Sequence, residues 1–118
     1  MSRYRVADAE ELAEDGDRIL VEVEGQELGV FRIDDECYAL PNFCPHQAAP
    51  LCQGRVTGRM VVGDDGWEWR YVQDGEIVTC PWHGWKFDIK SGKNIKDDRY
   101  AVPVYNVTVE DGSVYVER

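Results

Sequence analysis

Two short stretches concentrate the side chains able to bind metal: Cys44-Pro45-His46 and Cys80-Pro81-Trp82-His83-Gly84-Trp85. They hold both histidines of the chain and two of its four cysteines. A Cys-x-His and a Cys-x-x-His spacing each let one thiolate and one imidazole converge on a single centre. Proline directly after each cysteine fixes φ near −65° and removes a donor, which stiffens a ligand loop before metal arrives. Gly54, Gly84 and Gly92 are placed to allow backbone paths that a side chain would block. Four ligands of this composition suit a tetrahedral structural zinc. They equally suit a two-iron, two-sulfur cluster held by two cysteines on one iron and two histidines on the other. A zinc finger keeps its cysteines in one arm and its histidines in the other. Here each arm offers one of each, which favours a cluster with two unlike irons.

The elements that must hold these loops read as β structure. Arg18 to Glu24 alternates apolar and polar residues, then Gly25-Gln26-Glu27 turns the chain into Leu28 to Ile33. Asp34-Asp35-Glu36 turns it again into Cys37 to Leu40, and the three runs form an antiparallel meander. Ala101 to Glu110 and Ser113 to Glu117 flank Asp111-Gly112, a strong hairpin signal. Between the metal motifs, Arg59 to Val62, Trp67 to Val72 and Glu76 to Thr79 read as further strands, with turns at 63–66 and at Gln73-Asp74-Gly75. In the second of these runs Trp67, Trp69 and Tyr71 share one face, since strand side chains alternate. That face is expected to pack on the domain, with a partner-binding stripe as the alternative. One helical turn is expected near the start, capped by Asp8, with Glu11 at its third position and Gly16 beyond its end.

At 118 residues the chain is the size of one domain and buries a core without needing disulfides. No apolar run is long enough for a membrane helix, and MSRYRVADAEELAEDGD lacks the apolar stretch of a secretory signal. The expected location is cytoplasmic, where cysteines serve as ligands or thiols rather than disulfides. The formal charge of −10 excludes nucleic acid and anionic membrane as partners. It fits either a solvated acidic surface or an acidic face that steers docking onto a basic partner.

The order and flanks of the two motifs, CPHQAAPLCQG (Cys44 to Gly54) and CPWHGWKFDIKSGK (Cys80 to Lys93), resemble the Rieske iron–sulfur family. VFRIDDECYALPNFCPH and YNVTVEDGSVYV resemble it more weakly. The resemblance implies an all-β fold, a single Rieske domain over 1–118 built as an antiparallel β-sandwich with a two-loop cluster-binding subdomain. It also implies one [2Fe-2S] cluster, with Cys44 and Cys80 on the inner iron and His46 and His83 on the outer. Its respiratory branch has two further cysteines and a serine where this chain has Ala49, Trp82 and Trp85. The stapling disulfide and a hydroxyl bond to sulfur are therefore absent, and the reduction potential is expected at the low end of roughly −150 to +300 mV. The thirty-three residues between His46 and Cys80 exceed the usual interval of Rieske ferredoxins. Cys37 reads as a small buried side chain and Cys52 as a second thiol outside the ligand set.

The implied function is that of a soluble, monomeric ferredoxin, an electron carrier rather than an enzyme. It would take single electrons from a flavin-dependent reductase and pass them to a terminal oxidoreductase such as a ring-hydroxylating oxygenase. The alternative is a non-catalytic small subunit of a multi-component reductase, like that of nitrite reductase. An oxygenase is excluded for this polypeptide, because its mononuclear iron needs two more histidines than the chain has.

Overall fold

A computed structural model describes residues 3–45, 49–62, 69–81, 84–97 and 99–118. Among these residues, nine strands form three antiparallel sheets of three. The first sheet orders β1 (Arg3–Asp8), β9 (Ser113–Glu117) and β8 (Val107–Glu110). The second is the meander β2 (Arg18–Val23), β3 (Gln26–Ile33) and β4 (Glu36–Pro41). The third joins β5 (Arg55–Val62), β6 (Trp69–Thr79) and β7 (Lys86–Asp88). The antiparallel all-β expectation holds.

The meander is the middle layer. Leu28 and Val30 of β3 and Ala39 of β4 face the first sheet, where they pack with Ala7, Val114 and Val116. Phe31 and Ile33, with Leu40, face the other way onto Val78, Phe87 and the cysteine loops. Strands covered on both faces lose the apolar–polar alternation, and QELGVFRI shows this by running apolar through its centre. Complete burial of Phe87 removes an apolar side chain from water, a contribution of about 1.5–3 kcal/mol.

The tight turns follow from local chemistry. Glu24-Gly25, Asp34-Asp35 and Asp111-Gly112 each have two successive positive φ angles, the pattern of two-residue hairpin turns that match strand twist. The first turn therefore lies one residue earlier than the sequence suggested, at Glu24-Gly25 rather than 25–27. The early helical turn is present as a 3-10 turn over Ala9–Leu12, where the Asp8 amide donates to Glu11 Oε2 at 2.9 Å.

Other elements depart from the sequence reading. β1 was not anticipated, because its pairing with β9 joins residues more than a hundred positions apart. The run from Ala101 is strand only over Val107–Glu110; Ala101 and Tyr105 make isolated bridges on either side of Pro103. Gln73-Asp74-Gly75 is not a chain reversal. Register passes from Thr57↔Ile77 to Arg59↔Val72, so the extra residues of β6 bulge opposite Gly58 while the strand continues. A Cβ on Gly58 would lie 2.4 Å from the Val72 carbonyl oxygen, so only glycine lets the bulge close there. The expected turn at 63–66, and Trp67 with it, lie outside the described residues.

The packing expected for the aromatic face does not hold at Trp69 and Tyr71, its two described rings. Trp69 is 65% exposed and Tyr71 53% exposed. Among the described residues, no layer is stacked on that face of the β5–β6 hairpin beyond Gly58. The Tyr71 hydroxyl accepts from the Gly58 amide at 2.6 Å and donates to Asp74 at 3.2 Å.

Candidate metal centre

Each candidate metal-binding motif follows a strand of a different sheet. Cys44 comes just after β4 of the meander, and Cys80 directly after β6 of the third sheet. The two loops close in the same way. The Cys44 amide donates to the Ala49 carbonyl at 2.9 Å, and the Cys80 amide to the Trp85 carbonyl at 2.7 Å. Both closures span five residues. In the second loop the Gly84 amide also donates to the Cys80 carbonyl at 3.0 Å, with Gly84 at φ 71°, a left-handed conformation that suits glycine.

These closures bring both thiols into one core cluster, with Cys44 at 0% and Cys80 at 1% exposure. The remaining two predicted ligands, His46 and His83, lie outside the described residues, as do Gln47, Ala48 and Trp82. The donor chemistry of the described half fits a thiophilic centre. Two buried thiols share one apolar core cluster with Ala49, Leu51 and Phe87, and soft sulfur ligands in apolar surroundings favour iron–sulfur or zinc sites.

The loops are braced against each other. Gly54, at the end of the first loop, passes so close to Thr79 that an added Cβ would lie 1.8 Å from the Thr79 carbonyl oxygen. Thr79 immediately precedes Cys80, so this contact sets the spacing between the two arms. The sequence singled out Gly54 for its backbone freedom. Its φ is −73°, and what demands glycine is the close approach. Gly92 combines both reasons: φ is 76°, and a Cβ would lie 2.0 Å from the Val102 carbonyl oxygen.

Residues that the motif reading missed hold the first loop to the meander. The Arg18 guanidinium of β2 donates to the carbonyls of Gly54 and, at 3.2 Å, Cys52. Asn42 Oδ1 accepts from the Cys52 amide at 2.8 Å, while the Asn42 amide donates to the Glu27 carbonyl at 2.9 Å. Cys52 itself is 1% exposed, with its sulfur 3.5 Å from the Leu40 and Pro41 carbonyls. Its side chain occupies the space above Gly29, where a Cβ would come within 2.3 Å of Cys52 Cβ. Burial pushes this thiol up to about 12. A protonated, carbonyl-bonded thiol is a packing group, in keeping with the reading of Cys52 as a thiol outside the ligand set. Cys37 is half-buried against the first-sheet core, and burial raises its pKa as well. A signal for Arg18 was absent from the sequence because its partners are backbone carbonyls more than thirty positions away.

Comparison with known proteins decides the family. The Rieske [2Fe-2S] domain matches residues 2–107. The chain belongs to the Rieske family. The ferredoxin component of the naphthalene 1,2-dioxygenase system of Pseudomonas putida is 31% identical over 103 residues, covering 80% of this chain and 81% of that protein. Among solved structures, a complex of reduced oxygenase and oxidised ferredoxin in carbazole 1,9a-dioxygenase contains a chain 27% identical to this one. The match has TM-score 0.72 and covers 97% and 91% of the two chains. A protein described as the small subunit of an NADPH nitrite reductase shares the fold, at 24% identity and TM-score 0.67 over the whole of both chains. The Rieske protein thus has ferredoxin components among its relatives, and its two closed cysteine loops lie within the matched segment. Among its described residues, no helix is long and apolar enough to cross a membrane.

Proposed function

We propose that this protein is a cytoplasmic, single-domain electron carrier that holds one [2Fe-2S] cluster through Cys44 and Cys80 on one iron and His46 and His83 on the other. The observation that carries this reading is the pair of five-residue loop closures placing Cys44 and Cys80 together in one apolar core. When bound, such a cluster accepts and releases one electron at a time.

The chain's own residues do the rest. The closures and the Gly54–Thr79 contact hold the two arms at fixed separation, so little reorganisation accompanies a change of charge. Leu51, Phe87 and Ala49 exclude water from the sulfur side. The acceptor is a terminal oxidoreductase such as a ring-hydroxylating oxygenase, which the relatives' roles support, and the donor is a flavin-dependent reductase. The absence of a stapling cysteine at Ala49, and of serine at Trp85, places the potential at the low end of the Rieske span.

The purified protein tests this directly. It should be brown, contain two irons and two sulfides per chain, and give the EPR signal of a Cys2His2 two-iron cluster when reduced. Its potential should fall as pH rises through the alkaline range, because the oxidised cluster acidifies the outer imidazoles. A colourless protein with one zinc per chain would overturn the reading. Purification as a stable complex with a large catalytic chain would instead favour the nitrite-reductase-like small subunit.

A further inference from the structure

The charge of the molecule is unevenly divided. Residues 55–99 carry eight basic and eight acidic side chains, so the entire formal charge of −10 belongs to 1–54 and 100–118, with five basic and fifteen acidic. Structure sharpens the division. In the 55–99 segment every described carboxylate is engaged: Asp74 accepts from Tyr71, Glu76 faces Lys90, Asp88 accepts from Gln73, and Asp97 is bridged by Arg99. The other four acids of the segment lie outside the described residues. Lys86 and Lys96, by contrast, make no ion pair among the described residues.

These two lysines border a groove of about 630 Å³ whose walls include Met60, Trp85, Ile95 and Tyr100. Gly84, next to His83, forms part of its floor, so the groove opens beside the second cysteine loop. Met60 belongs both to the groove and to the hairpin. It is 52% exposed and sits opposite Tyr71 in the β5–β6 register, two pairs from Trp69 and so on the same face. The apolar surface is therefore continuous from the second loop onto the hairpin. Residue Phe43, beside Cys44, adds a further exposed ring at the same end.

We infer that the face formed by Met60, Trp69 and Tyr71, continued through the groove beside Gly84 and Trp85, docks a partner oxidoreductase whose own surface is apolar with a rim of carboxylates, Lys86 and Lys96 supplying the counter-charges. The inference rests on the electron-carrier reading above. An acidic partner surface is drawn to Lys86 and Lys96 and repelled by the acidic remainder of the chain, so encounter is oriented with the formally neutral end and its cysteine loops foremost. A basic partner would be drawn instead to the opposite end. Contiguous exposed rings on a soluble protein mark contact surfaces, and their apolar centre with unpaired cations at the edge is the complement of that partner chemistry.

The test needs no knowledge of the partner's identity. The reduced holoprotein is mixed with Fe(III)-EDTA, a small anion that takes one electron and becomes Fe(II)-EDTA. Despite the net charge of −10, oxidation should slow by roughly two- to threefold as ionic strength rises from about 10 to 200 mM. Lys86→Glu with Lys96→Glu should reverse that slope while leaving the visible spectrum unchanged. A wild-type rate that rises with salt, as the net charge alone dictates, would overturn the inference. Protein that takes up no reducible cluster would overturn the electron-carrier reading instead, so the two failures are distinguishable. Titration with 8-anilinonaphthalene-1-sulfonate, an apolar anion, reads the other half. Saturable binding should weaken at least about fivefold in Met60→Ser with Trp69→Ser and at high salt; no binding to the wild type would overturn the docking face. Sedimentation that shows a dimer dissolved by the same two substitutions would assign the face to a second copy of the chain and also overturn the inference.

Discussion

The two ends of the molecule treat their side chains in opposite ways. In the first sheet and the meander, the apolar faces of β1, β2, β3 and β9 close on one another, and the carboxylates sit at the surface, several of them paired with Arg3, Arg5 and Arg32. At the loop end, Cys44 and Cys80 are sealed while Met60, Trp69 and Tyr71, only a few residues along the same sheet, stand in solvent. The difference follows from layering. The meander has a sheet on one side and the cysteine loops on the other, whereas beyond Gly58 the hairpin's Met60, Trp69 and Tyr71 are more than half exposed. Rigidity is built where three elements meet, and contact surface is left where only two do.

The largest break in that comparison should come from Gly54→Ala. The new Cβ would have to displace the Thr79 carbonyl, which is backbone and cannot yield cheaply, so a loss above about 4 kcal/mol is expected. Urea denaturation measures it, and iron content per chain should fall in parallel because the contact spaces the two arms. Alkaline pH probes the same region through Cys52. Its folded pKa, about 12, lies above the reference value of 9.0. The folded state therefore keeps its proton while the unfolded chain loses it, and the stability present below pH 9 falls as pH rises toward 12. The slope reaches about 1.4 kcal/mol per pH unit, and Cys52→Ala should flatten it in denaturation curves run across that window.

A smaller effect is expected from Arg18→Met, which keeps the aliphatic stem but removes the donors to Cys52 and Gly54. The loss should be about 1–3 kcal/mol. Accelerated hydrogen exchange at the Gly54 amide, bonded to Leu51, would show that the first loop loosens before the meander does. The smallest belongs to the exposed end. Trp69→Ser should change unfolding stability by less than about 0.5 kcal/mol, in contrast to about 3–5 kcal/mol for Phe87→Ala in the shared core. A Trp69 substitution that unfolded the protein would erase the distinction between the two ends.

Much of this was legible locally. The paired Cys-Pro motifs, the hairpin at Asp111-Gly112 and the meander each depend on neighbours within a few residues, and period and turn chemistry carry that information. The four candidate ligands, one sulfur and one imidazole per arm, were legible in the same way, and the family match supports the cluster type. What could not be read locally depends on distant partners. The β1–β9 pairing, the Arg18 anchor and the Gly54–Thr79 approach join positions 25 to more than a hundred residues apart. The aromatic alternation from Trp67 to Tyr71 was plain, but alternation only says that rings share a face. Whether a layer covers that face is decided by tertiary packing, and here none does at Trp69 and Tyr71. The charge was also in the sequence as a sum; only the fold gathers residues 55–99 around the second cysteine loop and leaves the acidic excess elsewhere.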